Sequence, residues 1–123
     1  AAFGAAGGAT IIAQVAKALI AHLDWGLAIE DSLAFPQVFA DRRGLRYEEG
    51  TRLDTMAAGL KALGHKDVRG ATLPLKGNAV ARVADGWRGA ADPRSEGQAL
   101  GVPAPVATAT GTAINSGNRG TGS

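Results

Sequence analysis

Phe3-Gly4-Ala5-Ala6-Gly7-Gly8-Ala9-Thr10-Ile11-Ile12 carries a glycine-rich turn directly into a long apolar helix. A strand, a Gly-x-x-Gly-Gly turn and a helix in that order can form an anion-binding nest, in which the N–H groups of Gly7 and Gly8 are backed by the helix N-terminus. Glycine suits the position because a side chain would block close approach to the backbone. On pattern alone the plainer explanation, a turn that lets the helix lie against the strand, is preferred. The stretch lacks the Lys-Ser/Thr ending of a P-loop and the spacing of a dinucleotide fingerprint, which argues against nucleotide binding.

Working outward, Ile11, Ile12, Val15, Leu19 and Leu23 recur at steps of three and four, so the spacing predicts a helix from Thr10 to Trp25 that Gly26 closes. A second short helix is expected over 27–34, ended by Phe35-Pro36, since the residue before proline is pushed out of the helical region. Asp41-Arg42-Arg43-Gly44 reads as a polar turn and Leu45–Glu48 as a short strand. Apolar residues at 53, 56, 60 and 63, with Gly64 as a left-handed terminator, predict a further helix. The strongest strand signal is Asn78–Ala84, with Asp85-Gly86 as the turn of an antiparallel hairpin and Trp87–Ala91 as its return. Asp92-Pro93-Arg94 ends that strand, and it reads as a salt-bridged turn in preference to a segment that orders a loop near a site. The expected class is therefore α+β, with helices packed on antiparallel strands. From Val102 to Ser123 the chain holds one arginine and no aromatic residue, and a flexible tail is expected there.

Composition narrows the function. A chain of 123 residues makes one domain at most, and folding alone it would bury about two-thirds of its unfolded surface. Eighteen glycines and only six aromatic residues leave a core of small side chains, which a partner subunit would help. Thirteen basic and eleven acidic residues are mixed along the chain rather than gathered into a basic arm, so nucleic acid is not an expected partner. No cysteine is present, which removes disulfides, thiolate metal sites and cysteine nucleophiles. Lys17, His22 and Asp24 interrupt the longest apolar run, so no membrane span is expected. The first residues show neither the basic lead nor the cleavage site of a signal peptide.

No complete catalytic set is visible. His22 and His65 have no ligand companion one helical turn away, and no metal is expected. Glu30-Asp31 and Glu48-Glu49 read as solvated surface, because adjacent residues point in different directions. Thr10 and Ser32 read as helix-end or helix-face residues, Ser95 lies in a loop, and no Gly-x-Ser-x-Gly elbow occurs. Ala1 offers no hydroxyl for a terminal nucleophile.

Taken in order, Gly4-Ala5-Ala6-Gly7-Gly8, the helix from Ile11 ending Leu23-Asp24-Trp25-Gly26-Leu27, Phe35-Pro36, Leu63-Gly64-His65 and Gly89-Ala90-Ala91-Asp92-Pro93-Arg94 resemble the C-terminal part of the small subunit of a gamma-glutamyltranspeptidase over residues 1–101. The resemblance implies part of an N-terminal nucleophile hydrolase, a four-layer αββα sandwich matured by self-cleavage into a large and a small subunit. In that family a terminal threonine attacks a γ-glutamyl amide and passes the acyl group to water or an amino acid. The adjacent glycines of a Gly-Ser-Pro-Gly-Gly turn serve its oxyanion hole; the matching positions here are Gly7 and Gly8, and Ala5-Ala6 replaces Ser-Pro. No catalytic side chain is expected within this chain, the threonine and most substrate-gripping residues being expected upstream. The isolated chain is expected to be inactive. The implied partners are the large subunit, the remainder of the small subunit and a γ-glutamyl or acyl-amide substrate, with no cofactor. The resemblance implies a periplasmic or secreted location, and a cytoplasmic one stays open. Two alternatives remain: a non-catalytic remnant acting as an interaction module, and a small anion- or nucleotide-binding α+β domain that uses the glycine turn alone.

Overall fold

The computed structural model describes residues 1–103. All but the first two residues of the expected tail, 102–123, lie outside the described residues. The chain runs through β1 (Ala2–Ala6), a 3-10 turn (Gly8–Thr10), α1 (Ile11–Leu23), α2 (Ile29–Ala34), β2 (Val38–Asp41), β3 (Gly44–Glu48), a 3-10 turn (Arg52–Met56), α3 (Ala57–Ala62), β4 (Arg69–Ala71), β5 (Lys76–Val83) and β6 (Gly86–Ala91). The α+β class follows directly.

Two three-stranded sheets form. One is antiparallel throughout, in the order β1-β5-β6, with Ala6 opposite Lys76 and Asn78 opposite Ala91. The other has the order β2-β3-β4, and within it β3 and β4 run parallel. Along β5 the period of two is clean: Gly77, Ala79 and Ala81 are buried, whereas Lys76, Asn78, Val80 and Arg82 are exposed. The buried face meets α1 and α2, and the core consists of Ala18, Ile29, Leu33, Ala79, Ala81 and Ala90, with Phe3 packed against it. Small residues allow close layering here. A Cβ on Gly77 would lie 2.8 Å from Leu33 Cδ2, so glycine is what admits α2 to the sheet.

Two expectations need correction. The hairpin forms, but Val83 pairs with Gly86, so Ala84-Asp85 make the turn. Gly86, at φ +150°, then takes up the left-handed twist as the first residue of β6. The helix expected from Leu53 begins as a 3-10 turn capped by Thr51, whose side chain accepts from Leu53 N–H at 3.2 Å, and becomes α-helical only at Ala57. Gly64, at φ +95°, follows it as expected. Along α1, Gln14, Ala18 and Ala21 are buried, while Ile11, Ile12, Ile20 and Leu23 are exposed. Its small-residue face packs inward, Val15 and Leu19 are half-buried, and the other large apolar residues are exposed.

Candidate functional site

Gly7 and Gly8 sit where β1 gives way to α1, with φ +131° and +62°. Only glycine accommodates the first of these without strain. Space makes the same demand, since a Cβ on Gly7 would stand 2.5 Å from the Pro74 carbonyl oxygen and 2.7 Å from Thr10 Oγ1. At Gly8 no atom lies within 4 Å of a built Cβ, so that side of the turn is open. Among the described residues neither the Gly7 nor the Gly8 N–H donates a hydrogen bond. Two successive N–H groups without a protein acceptor thus stand at the 3-10 turn that leads into the thirteen-residue α1.

The turn is held from inside by buried Thr10 and Gln14. Thr10 Oγ1 donates to Gly7 O at 3.0 Å. Gln14 Nε2 donates to Ala6 O at 3.0 Å and to Thr10 Oγ1 at 2.8 Å, and Gln14 Oε1 accepts Lys76 N–H at 3.0 Å. One amide on α1 thus joins the turn to the entry of β5.

A second polar cluster links the end of β6 in one sheet to β3 in the other. Arg94 Nε donates to Asp92 Oδ1 at 2.7 Å, its Nη1 to Glu48 Oε2 at 2.6 Å, and its Nη2 to Leu33 O. The expected Asp92-Pro93-Arg94 salt-bridged turn is present, and it reaches further than the turn itself. Glu48 departs from the solvated role read for it: its side chain is only 14 % exposed and it also accepts Gln37 N–H at 3.1 Å. Glu49 does stay at the surface, accepting from Thr72 Oγ1. Glu48 is the last residue of β3 and Glu49 the first of the turn that follows, and one acid turns inward while the other stays exposed. Burial pushes the Asp92 carboxyl up, but the hydrogen bonds and charge of Arg94 outweigh it and hold the group below its ordinary 3.8. Burial likewise opposes the Arg94 charge, and its bonds to Asp92 and Glu48 raise its pKa overall.

Lys17 closes this cluster from α1. Its Nζ donates to the carbonyl oxygens of Ser32, Leu33 and Phe35 at 3.0, 2.8 and 2.9 Å, capping the C-terminus of α2. Burial, then repulsion from Arg94, lower its pKa to about 8 against the attraction of Asp92 and Glu48. Between about 8 and 10.5 the unfolded chain therefore binds more protons than the folded one, and stability rises with pH across that window. Urea unfolding of the parent is expected to show this rise and Lys17→Met to abolish it; equal pH slopes would refute the assignment.

The histidines play smaller parts. His22 Nδ1 carries the proton it donates to Leu27 O, 2.8 Å away, and its ring lies 5.7 Å from that of Phe3. His65 is exposed after α3. Among the described residues no group of three or more His, Asp or Glu could hold a metal, and no helix is long and apolar enough to cross a membrane. The expected glycine pair thus stands in one turn, whereas Gln14, Lys17 and Glu48 escaped sequence reasoning. The one available signal was the interruption of an apolar helix by Gln14 and Lys17.

The gamma-glutamyltranspeptidase family model matches residues 1–102. A glutathione hydrolase proenzyme from Bacillus subtilis (strain 168) is 30% identical over 105 residues, covering 80% of this chain and 17% of that protein. In fold the chain is similar to a gamma-glutamyltranspeptidase from Pseudomonas nitroreducens solved with L-DON, with a TM-score of 0.72 at 23% identity over 82% of this chain and 54% of that one. A mutant gamma-glutamyltranspeptidase from Helicobacter pylori gives a TM-score of 0.58 at 24% identity, covering 76% of this chain and 53% of that chain. The chain spans about a sixth of the curated relative and about half of each solved chain. Its α+β arrangement is similar to that of these solved gamma-glutamyltranspeptidases. With the glycine turn, the helices and the hairpin in this order and the family match running over residues 1–102, the chain belongs to the gamma-glutamyltranspeptidase family.

Proposed function

We propose that these residues form part of a γ-glutamyl amide hydrolase or acyltransferase, in which Gly7 and Gly8 donate their N–H groups to the oxyanion of the tetrahedral intermediate. The supporting observation is the pair of unpaired N–H groups in a left-handed turn at a helix start. Attack on an amide carbonyl moves negative charge onto its oxygen, and donors fixed in advance stabilise that charge without reorganising. In this reading the attacking threonine comes from outside this chain.

The remainder of the precursor also supplies packing. Ile12 is 81 % exposed, and Ile20, Leu23 and Trp25 continue the apolar surface along and beyond α1. Val80 and Trp87 are exposed on the open face of the first sheet, where a second sheet packs in an αββα sandwich. Such surfaces are costly to leave in water and are covered by partner chain in this reading.

The test is expression of the full-length precursor that carries these residues. It is expected to cleave itself into two subunits and to hydrolyse a γ-glutamyl anilide. A correctly cleaved protein inert toward γ-glutamyl amides and other acyl amides would overturn the proposal.

A further inference from the structure

We infer that Gln14 and Thr10 are positioning residues that aim the two oxyanion donors by gripping the carbonyl end of each donor's own peptide unit. In a trans peptide the C=O of one residue and the N–H of the next point in opposite directions within one plane. The Gly7 N–H belongs to the Ala6–Gly7 unit, whose carbonyl oxygen receives Gln14 Nε2 at 3.0 Å. The Gly8 N–H belongs to the Gly7–Gly8 unit, whose carbonyl oxygen receives Thr10 Oγ1 at 3.0 Å. Each carbonyl is therefore drawn inward and each N–H faces out, away from the helix.

The two struts are themselves joined, since Gln14 Nε2 donates to Thr10 Oγ1 at 2.8 Å and leaves the hydroxyl hydrogen free for Gly7 O. The Gln14 amide cannot rotate freely either, because its Oε1 accepts Lys76 N–H at 3.0 Å. Both side chains are buried, Gln14 and Thr10 at 5 % exposure each, so water does not substitute for a lost strut at little cost. A chain of hydrogen bonds ending on a peptide carbonyl also polarises that peptide and strengthens its N–H as a donor. Glycines with φ +131° and +62° gain the most from such support, because glycine has the widest conformational choice to lose. A polar glutamine within an apolar helix, unexplained by packing alone, thereby acquires a role.

The inference rests on the oxyanion reading of Gly7 and Gly8, and the test separates the two. In the full-length, matured protein, kcat and KM for a γ-glutamyl anilide are measured for Thr10→Val, Thr10→Ser, Gln14→Leu and Gln14→Glu. Thr10→Val keeps the shape and leaves only the longer Thr10 N–H contact to Gly7 O, 3.4 Å. It is expected to lower kcat about tenfold with KM changed less than about twofold, the size of one lost neutral hydrogen bond felt in the transition state. Thr10→Ser restores the hydroxyl and is expected to restore kcat. Gln14→Leu is expected to behave like Thr10→Val. In Gln14→Glu the ionised carboxylate has no hydrogen for Ala6 O, whereas the protonated acid has one, so the ratio of variant to parent kcat is expected to rise as pH falls. Should Gln14→Leu fail to mature, the Thr10 pair decides alone. Parent-like kcat in Thr10→Val, or equal losses in Thr10→Val and Thr10→Ser, would overturn the inference. Either result leaves the oxyanion reading to be judged separately by Gly7→Ala, in which a parent-like rate removes that reading and a large loss retains it.

Discussion

Gly7→Ala in the matured full-length protein is expected to lower kcat for a γ-glutamyl anilide by about 100- to 1000-fold, the usual consequence of losing one oxyanion donor. The substitution leaves the N–H in place, so the loss comes from displacement. Its methyl group would lie 2.5 Å from Pro74 O, 2.7 Å from Thr10 Oγ1 and 3.0 Å from Gln14 Nε2, and the first of these is backbone that a side-chain rotation cannot relieve. The turn has to move, and the φ of +131° has to change as well, since an alanine held there carries about 1–3 kcal/mol of strain. Because the donors act on charge that develops after binding, KM should change far less than kcat. The measurement is steady-state kinetics normalised to the self-cleaved fraction, so that a maturation defect is not counted as a catalytic one. A matured Gly7→Ala protein turning over at the parent rate would remove Gly7 from the oxyanion hole.

The contrast between this turn and its supports shows what a sequence discloses. Gly7 and Gly8 were legible because glycine in sequence speaks of backbone geometry, and the ordered motifs after them fixed the context. Thr10 and Gln14 were not, since a hydroxyl and an amide say nothing of which carbonyls they will meet until β1, the helix start and the β5 entry come together. The hairpin was legible for a local reason, alternation around a turn. Its turn residues were displaced by one because Gly86 spends its left-handed φ inside the first pair of β6 rather than in the turn.

Long-range pairing was the least legible. Strand β4 is Arg69-Gly70-Ala71, without a β-branched residue, and it exists because β3 offers it a parallel edge. There a Cβ on Gly70 would sit 3.3 Å from the Tyr47 ring, so glycine admits the aromatic side chain. The buried face of α1 was not legible for a related reason. Periodicity identifies the apolar stripe but not what covers it, and here the alanines meet the sheet while Ile12 and Leu23 point outward.

Arg94→Met is expected to destabilise the folded protein by about 3–5 kcal/mol at neutral pH, the cost of breaking a buried ion pair by removing one partner. The guanidinium side chain keeps 23 % of its exposure, which places the effect toward the lower end, but Asp92 is 3 % exposed and has little access to water. Methionine retains the apolar stem, so the loss is charge and hydrogen bonds rather than volume. The pH dependence gives the sharper signature. In the parent, Asp92 titrates below its ordinary value, so its stabilisation is present above the unfolded pKa and is lost as pH falls through the folded one. Without Arg94 the burial that pushes this carboxyl up is no longer countered by the arginine's bonds and charge, and the folded pKa rises. Protonation then favours the folded variant, and the gap between parent and variant narrows in acid. Urea unfolding at neutral and acidic pH measures both quantities. A loss under about 1 kcal/mol at neutral pH, the range of an exposed pair, or a gap that widens in acid, would show that Arg94 is not the buried tie between β3, α2 and the end of β6 that the geometry describes.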